Sequence, residues 1–296
     1  MKPCLFSVSY AGFWGQESLD TNGFVEHAAE LGYGSVMIAG KRPHASPLDM
    51  NEEAVAVLRA TLDRTGVECS ILAAYTDFGG TVAAEVPYLE MQISYIESLC
   101  RIGRQLGARV CRVFTSYEVN GVSPHATWKQ TVTCLREICD RAADFGITIA
   151  VQNHHDIAVQ SEALVELLFD VDRKNCGLGF DAWSLALRGE ELHEAARTMA
   201  PYSVITTNAD YLRLPRFRYR PELISYESAG PDLVRAVPFG EGFIDYEAFF
   251  SGLKEGGFDG LATYEMCSPV RGGGSMENLD RYARAYLDWM SGHGFV

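Results

Sequence analysis

The chain has 296 residues, 47% hydrophobic and 22% charged, which is ample for a soluble core and long for one ordinary domain. Its formal net charge of −14 weighs against a nucleic-acid binder, because a protein that displaces counterions from phosphates needs basic surface. No apolar run approaches the ~20 residues that cross a bilayer, and the opening MKPCLFSVSY lacks the long apolar stretch and cleavage site of a secretion signal, so a cytoplasmic protein with no nucleic-acid or membrane partner is expected.

Short apolar runs then alternate with helical patterns that end in glycine. Cys4–Val8 reads as a strand, Asn22–Leu31 as a helix stopped by Gly32, and Ser35–Ala39 as the second strand. Asn51 caps a helix through Thr65, with Glu52 and Glu53 in its first turn and Gly66 at its end. Glu68–Tyr75 is the third strand. A long helix follows over Tyr88–Leu106, with Ile93, Ile96, Leu99, Cys100 and Ile102 on one face.

Arg109–Phe114 is the fourth strand, and Ser123-Pro124 opens the next helix as N-cap and first helical residue. Thr148–Gln152, Cys176–Phe180 and Ser203–Thr207 are strands five to seven, with helices Ser161–Val171 and Glu190–Met199 between them. Tyr246–Lys254 is helical, Leu261–Glu265 is the eighth strand and Met276–Met290 the closing helix. Eight near-continuous apolar strands, each followed by a helix and with no glycine-rich phosphate loop after the first, predict a single-domain (β/α)8 barrel over residues 1–296.

The longest irregular stretch is Ala209–Gly242, where Arg213, Arg216, Arg218 and Arg220 are interleaved with Tyr211, Phe217 and Tyr219. A loop of that length beside a barrel mouth is expected to cover substrate, with a homo-oligomer contact as its alternative role. The eight cysteines form no CxxC pair and mostly sit in apolar runs, which reads as buried, reduced thiols.

Polar residues gather after the strands and not before them. Lys41-Arg42-Pro-His44 follows strand two; Tyr117-Glu118 follows strand four; Gln152-Asn153-His154-His155-Asp156 closes strand five. Asp181 ends strand six, Thr207-Asn208-Ala-Asp210 strand seven, and Glu265 strand eight, with Arg271 beyond it. Barrel enzymes build their sites at this face. Two carboxylates there, Asp181 and Glu265, call for a cation, either one divalent metal (Mn, Mg or Zn) or an ion-pair lattice with Lys41, Arg42, Arg112 and Arg271. Gln152 and His154 are acceptable further ligands. Of the adjacent histidines only one can face inward from an extended chain. Trp183 is a candidate apolar wall for a sugar ring, or core.

With VEHAAELGYGSVMI, VQNHHD, GLGFDAWSLAL, VPFGEGFIDYEAF and TYEMCSP, the chain resembles the xylose isomerase-like TIM barrel superfamily of sugar phosphate isomerases and epimerases. The GEGxxDY element is the most specific of these motifs. The resemblance implies one divalent metal held by Glu, Asp, His and Glu from strands five to eight, and proton transfer next to a carbonyl. Asp181 and Glu265 match that pattern, Gln152 replaces its first Glu, and strand seven has no His at all. The expected roles are therefore Gln152, Asp181, Glu265 and Asn208 toward metal, and Glu265 as base with His154 as acid/base partner. Lys41, Arg42, His44, Trp183 and Arg271 are expected to bind a small carbohydrate-like substrate. An isomerase or epimerase is the first expectation. A lyase, dehydratase or 3-oxo-glycoside-cleaving enzyme is the alternative, or a barrel that binds carbohydrate without turning it over or serves in a hetero-complex.

Overall fold

The computed structural model describes residues 1–79 and 85–296. Its strands are β1 (Lys2–Phe6), β2 (Ser35–Ala39), β3 (Glu68–Ala73), β4 (Val110–Val113), β5 (Thr148–Gln152), β6 (Cys176–Asp181), β7 (Ser203–Asn208), β8 (Asp210–Leu214), β9 (Phe217–Arg220), β10 (Ser225–Ser228), β11 (Leu233–Val237) and β12 (Leu261–Tyr264). The first seven and β12 close into one parallel barrel, with β1 paired to both β2 and β12. The predicted (β/α)8 barrel is the observed fold.

The helices are α1 (Thr21–Glu30), α2 (Glu52–Thr65), α3 (Tyr88–Leu106), α4 (Pro124–Ala143), α5 (Ser161–Val171), α6 (Ala182–Arg188), α7 (Leu192–Met199), α8 (Tyr246–Glu255) and α9 (Met276–Gly292). Local sequence sets several of their starts. Asp20 accepts from the Gly23 backbone at 2.7 Å, Asn51 from Ala54 at 2.9 Å, and Asp245 from Ala248 at 2.9 Å. The short α6 was not legible as a helix; Asp181 caps it through the Ser184 N–H at 2.9 Å.

The stretch expected to be irregular is ordered instead. β8 pairs antiparallel with β11, and β9 with β10, so the connection after β7 is a pair of ribbons. Tyr211, Ala236 and Val237 bury the root of the first, whereas β9 and β10 are exposed almost throughout.

Alternate side chains along each barrel strand point to the axis. Cys4, Phe6, Met37, Ile71, Val110, Ala150 and Ile205 pack there as an apolar plug. Two residues further along the same strands, Arg112, Gln152 and Thr207 continue the inward set, and Asp181 and Thr263 stand in register beside Thr207. Glu265 lies two residues beyond Thr263. The inward positions thus change from apolar to polar at the C-terminal end of the barrel.

Candidate active site

Asp181 is wholly buried and anchored from both sides. One carboxylate oxygen accepts from the Ser184 N–H at 2.9 Å and the other from the Gln152 amide at 3.2 Å. Asn153, facing the other way, ties the Asp181 backbone to β5 with bonds of 3.0 and 2.7 Å. Burial pushes the Asp181 carboxyl up to about 7 despite these donors.

Glu265 is 6% exposed, and its carboxylate accepts no hydrogen bond among the described residues. Burial raises it to about 8; the Arg112 guanidinium pulls against that rise, and the Asp181 charge adds to it. Its neighbour Met266 is held by Ser9 (2.9 Å) and Gln16 (2.9 Å), which fixes the chain as it leaves β12. Gln152 Oε1, Thr207 Oγ1 and Thr263 Oγ1 are buried and have no partner among the described residues. Four strands therefore present two carboxylates and three unused oxygens to one space.

The His154 and His155 rings lie 5.0 and 4.3 Å from Phe114 and 5.1 Å from each other. The chain is not extended at this pair, since His155 has φ +64°, so strand alternation does not decide which ring faces inward. The His155 backbone N–H donates to His154 Nδ1 at 2.7 Å, which places the His154 proton on Nε2. Burial, with Arg112 adding to it, lowers His154 to about 4, so the ring is neutral at pH 7. Trp183, 5% exposed, stands edge-on to His154 and Tyr211 at 6.1 and 6.2 Å. Lys41 is half-buried over Tyr75, its Nζ 3.6 Å from the ring centroid.

Three expected site residues face elsewhere. Arg42 is exposed and makes two 2.7 Å bonds to Asp49, so its guanidinium is already matched outside the mouth. His44 has both ring nitrogens engaged, with Ser7 Oγ at 3.0 Å and the Leu19 carbonyl at 3.2 Å, and packs against Phe24 of α1. Asn208 points outward: its amide donates to the Thr263 carbonyl at 3.0 Å and the Tyr286 hydroxyl of α9 at 3.4 Å. Thr207 is the inward residue on β7. Arg271 is exposed on the loop after β12, docked through its backbone N–H on the Ala236 carbonyl at 3.0 Å, and forms no ion pair with Asp181 or Glu265.

Arg112, Tyr75 and Thr207 are the mouth residues that the sequence reading underweights. A lone arginine inside the apolar run VCRVF is the signal that marks the first. Asp210, by contrast, is structural. Its carboxylate takes the N–H groups of Tyr211, Gly240 and Gly242 at 2.8–2.9 Å, and the Tyr246 hydroxyl donates to the Ala209 carbonyl at 2.6 Å. The GEGxxDY element thus locks the end of β7, and contacts the mouth only through it.

A family model described as the xylose isomerase-like TIM barrel matches residues 25–292. The chain belongs to this xylose isomerase-like family. Among its relatives, an inosose dehydratase of Lacticaseibacillus casei is 24% identical over 201 residues, 60% of this chain, and the match spans only 64% of that protein's length. A solved D-allulose 3-epimerase from Methylomonas sp. superposes with TM-score 0.75 at 16% identity, covering 99% of this chain and 98% of that one. A probable 3-DHS dehydratase from Bacillus anthracis gives 0.73 at 17%, covering 98% and 99%. At these identities the structures establish the shared barrel. Among the described residues of this family member, no group of three or more His, Cys, Asp and Glu is placed to hold one ion.

Proposed function

We propose that the protein is an enzyme that moves a proton next to the carbonyl of a sugar or sugar-like polyol, with isomerisation or epimerisation as the leading outcome. The observation that carries this is the pair Asp181 and Glu265, buried together at the barrel mouth with unused oxygens around them. The epimerase and dehydratase names among the relatives support the same chemistry.

The oxygen set fits a divalent cation. Asp181 and Glu265 supply charge, and Gln152 Oε1 and Thr207 Oγ1 are buried acceptors that have no other partner among the described residues. All four are hard oxygens, which suits Mg or Mn better than Zn, since no imidazole is in the set. A cation held by these residues would supply Lewis acidity toward a substrate carbonyl.

Glu265 is the base, because its carboxylate is the one without hydrogen-bond donors among the described residues and burial holds it near neutral pH, at about 8. Asp181, pinned by Ser184 and Gln152, positions. His154 offers its Nε2–H to the substrate oxygen as a neutral donor; with Nδ1 occupied it is not itself the base. Trp183 walls the ring, and Lys41 takes a substrate oxygen. Gln152 cannot ionise, so a two-base inversion lacks the second base that a Glu there would give. That observation ranks isomerisation ahead of epimerisation, which needs proton transfer on both faces, and makes dehydration the second reading.

Solvent deuterium exchange into a panel of keto sugars and cyclic polyol ketones, followed by NMR, tests the proposal. Exchange should appear with wild type and fall at least 1,000-fold in Glu265→Gln. Exchange that survives that substitution, or its absence from every member, would refute it.

We place the enzyme in the cytoplasm, a setting supported by eight unpaired cysteines; no helix among the described residues is long and apolar enough to cross a membrane. We also assign the β9–β10 ribbon to a homo-oligomer contact. Phe217, Tyr219, Leu223, Ile224 and Tyr226 are exposed on it, and a lone two-stranded ribbon is marginal in water.

A further inference from the structure

Within reach of the Glu265 charge, the mouth holds donors that are not all used. Arg112 is 1% exposed. One terminal nitrogen donates to the Ala74 carbonyl at 2.8 Å, while its Nε has no partner among the described residues. Three rings hold the guanidinium: its Cζ lies 4.0 Å from the Phe114 centroid, 5.0 Å from Tyr75 and 5.5 Å from Phe6. The Tyr75 hydroxyl is also buried and unpartnered among the described residues. Lys41 Nζ sits over the same Tyr75 ring and 4.4 Å from that of Phe13. Neither cation forms an ion pair with any described carboxylate, Glu265 included.

Lys41 and Arg112 repel each other, Glu265 offsets Arg112 only through space, and a buried guanidinium N–H left unmade is costly. A purely structural Arg112 would be expected to close on Glu265 or on a carbonyl with every nitrogen. Here Arg112 Nε, the Tyr75 hydroxyl and the Lys41 ammonium gather around the Tyr75 ring without a carboxylate partner among the described residues, and Gln152, Thr207 and Thr263 keep unpartnered oxygens on the strands that follow. A molecule complementary to both groups has hydroxyl and carbonyl groups at one end and an anion at the other.

We propose that the substrate is an acid sugar, a polyhydroxylated carbonyl compound whose carboxylate is received by Lys41, Tyr75 and Arg112. This rests on the proton-transfer reading above and narrows its substrate class. A carboxylate is favoured over a phosphate on charge: Lys41 and Arg112 are the cations at hand, and Arg112 already acts on Glu265, which leaves one positive charge to meet one negative charge. The planar guanidinium, with the tyrosine hydroxyl beside it, also matches a planar anion.

Calorimetric titration tests this with three probes of common ring, namely a set of hexuronates, their parent hexoses and the matching hexose 6-phosphates. At least one hexuronate should bind tenfold or more tightly than both its hexose and its 6-phosphate. That advantage should vanish in Lys41→Met and Arg112→Gln and shrink about threefold in Tyr75→Phe. A hexose that binds as well as its uronate in every pair, a 6-phosphate that outbinds it, or an advantage that survives the Lys41 and Arg112 substitutions overturns the proposal. If Arg112→Gln fails to fold by circular dichroism, the half-buried Lys41 decides alone. Binding is read without turnover, so uronate binding with no deuterium exchange would sink the proton-transfer reading and leave the subsite standing.

Discussion

A carboxyl group buried away from any cation costs several kcal/mol or gives up its charge. Asp181 and Glu265 both face that choice at the same end of the barrel, and each is pushed up by burial. A bound divalent ion resolves the conflict, and the composition of the set predicts how tightly. Gln152→Glu adds a third charge at a position whose oxygen lacks a partner among the described residues, so Mn affinity by calorimetry should rise at least tenfold. Unchanged affinity would show that Gln152 does not face the ion. His44 makes a separate prediction. It is held at about 4 by burial, below the ordinary 6.5 that it recovers on unfolding. The unfolded chain therefore takes up a proton between those values that the folded chain refuses. This contribution is complete above about pH 7, declines as pH falls through 6.5 and levels off below about 4. It amounts to about 2 kcal/mol lost at pH 5. Urea unfolding of His44→Gln should lack that part of the wild-type pH dependence; parallel curves would contradict it.

At the scale of elements, the polar rim depends on loops that are fixed from outside the barrel. A Cβ added at Gly242 would fall 1.9 Å from Asp210 Oδ1, inside the clamp that ends β7. Gly242→Ala should therefore break two or three charge-assisted bonds and lower unfolding stability by on the order of 3 kcal/mol in urea titration. A change below about 0.5 kcal/mol would mean the loop moves aside at little cost. Elements of the same kind account for what the sequence hid. Strand parity decides whether Thr207 or Asn208 faces the axis, and a one-residue ambiguity at a strand end exchanges them. His44 lies three residues after Lys41, yet the loop turns it behind α1. Phe217–Arg220 alternates aromatic and arginine with the period of a strand, but its reversal at Pro221–Ile224 carries no Asn-Gly signal, so the ribbon looked like a lid. Arg112 was visible as a misfit in an apolar run, although only the folded barrel shows that its Nε has no partner among the described residues.

For the whole molecule, the barrel was legible because eight apolar runs, each followed by an amphipathic helix, leave few other ways to bury a parallel sheet. The rim was legible as an asymmetry between the two ends of that barrel, and Asp181, Glu265 and Gln152 do share it. What one chain leaves uncovered is the β9–β10 ribbon. Light scattering coupled to size exclusion should find an oligomer that Phe217→Asp with Tyr226→Asp converts to monomer, while circular dichroism stays unchanged because both residues are exposed. An oligomer indifferent to those changes would place its interface elsewhere.

The coordination of one ion by residues 181 and 265 is tested most directly by anomalous diffraction from a Mn-soaked crystal. It should give a single strong peak per chain, about 2.2 Å from an oxygen of each carboxylate. A mouth without a peak, with Arg112 drawn across to bridge the two side chains, would contradict it.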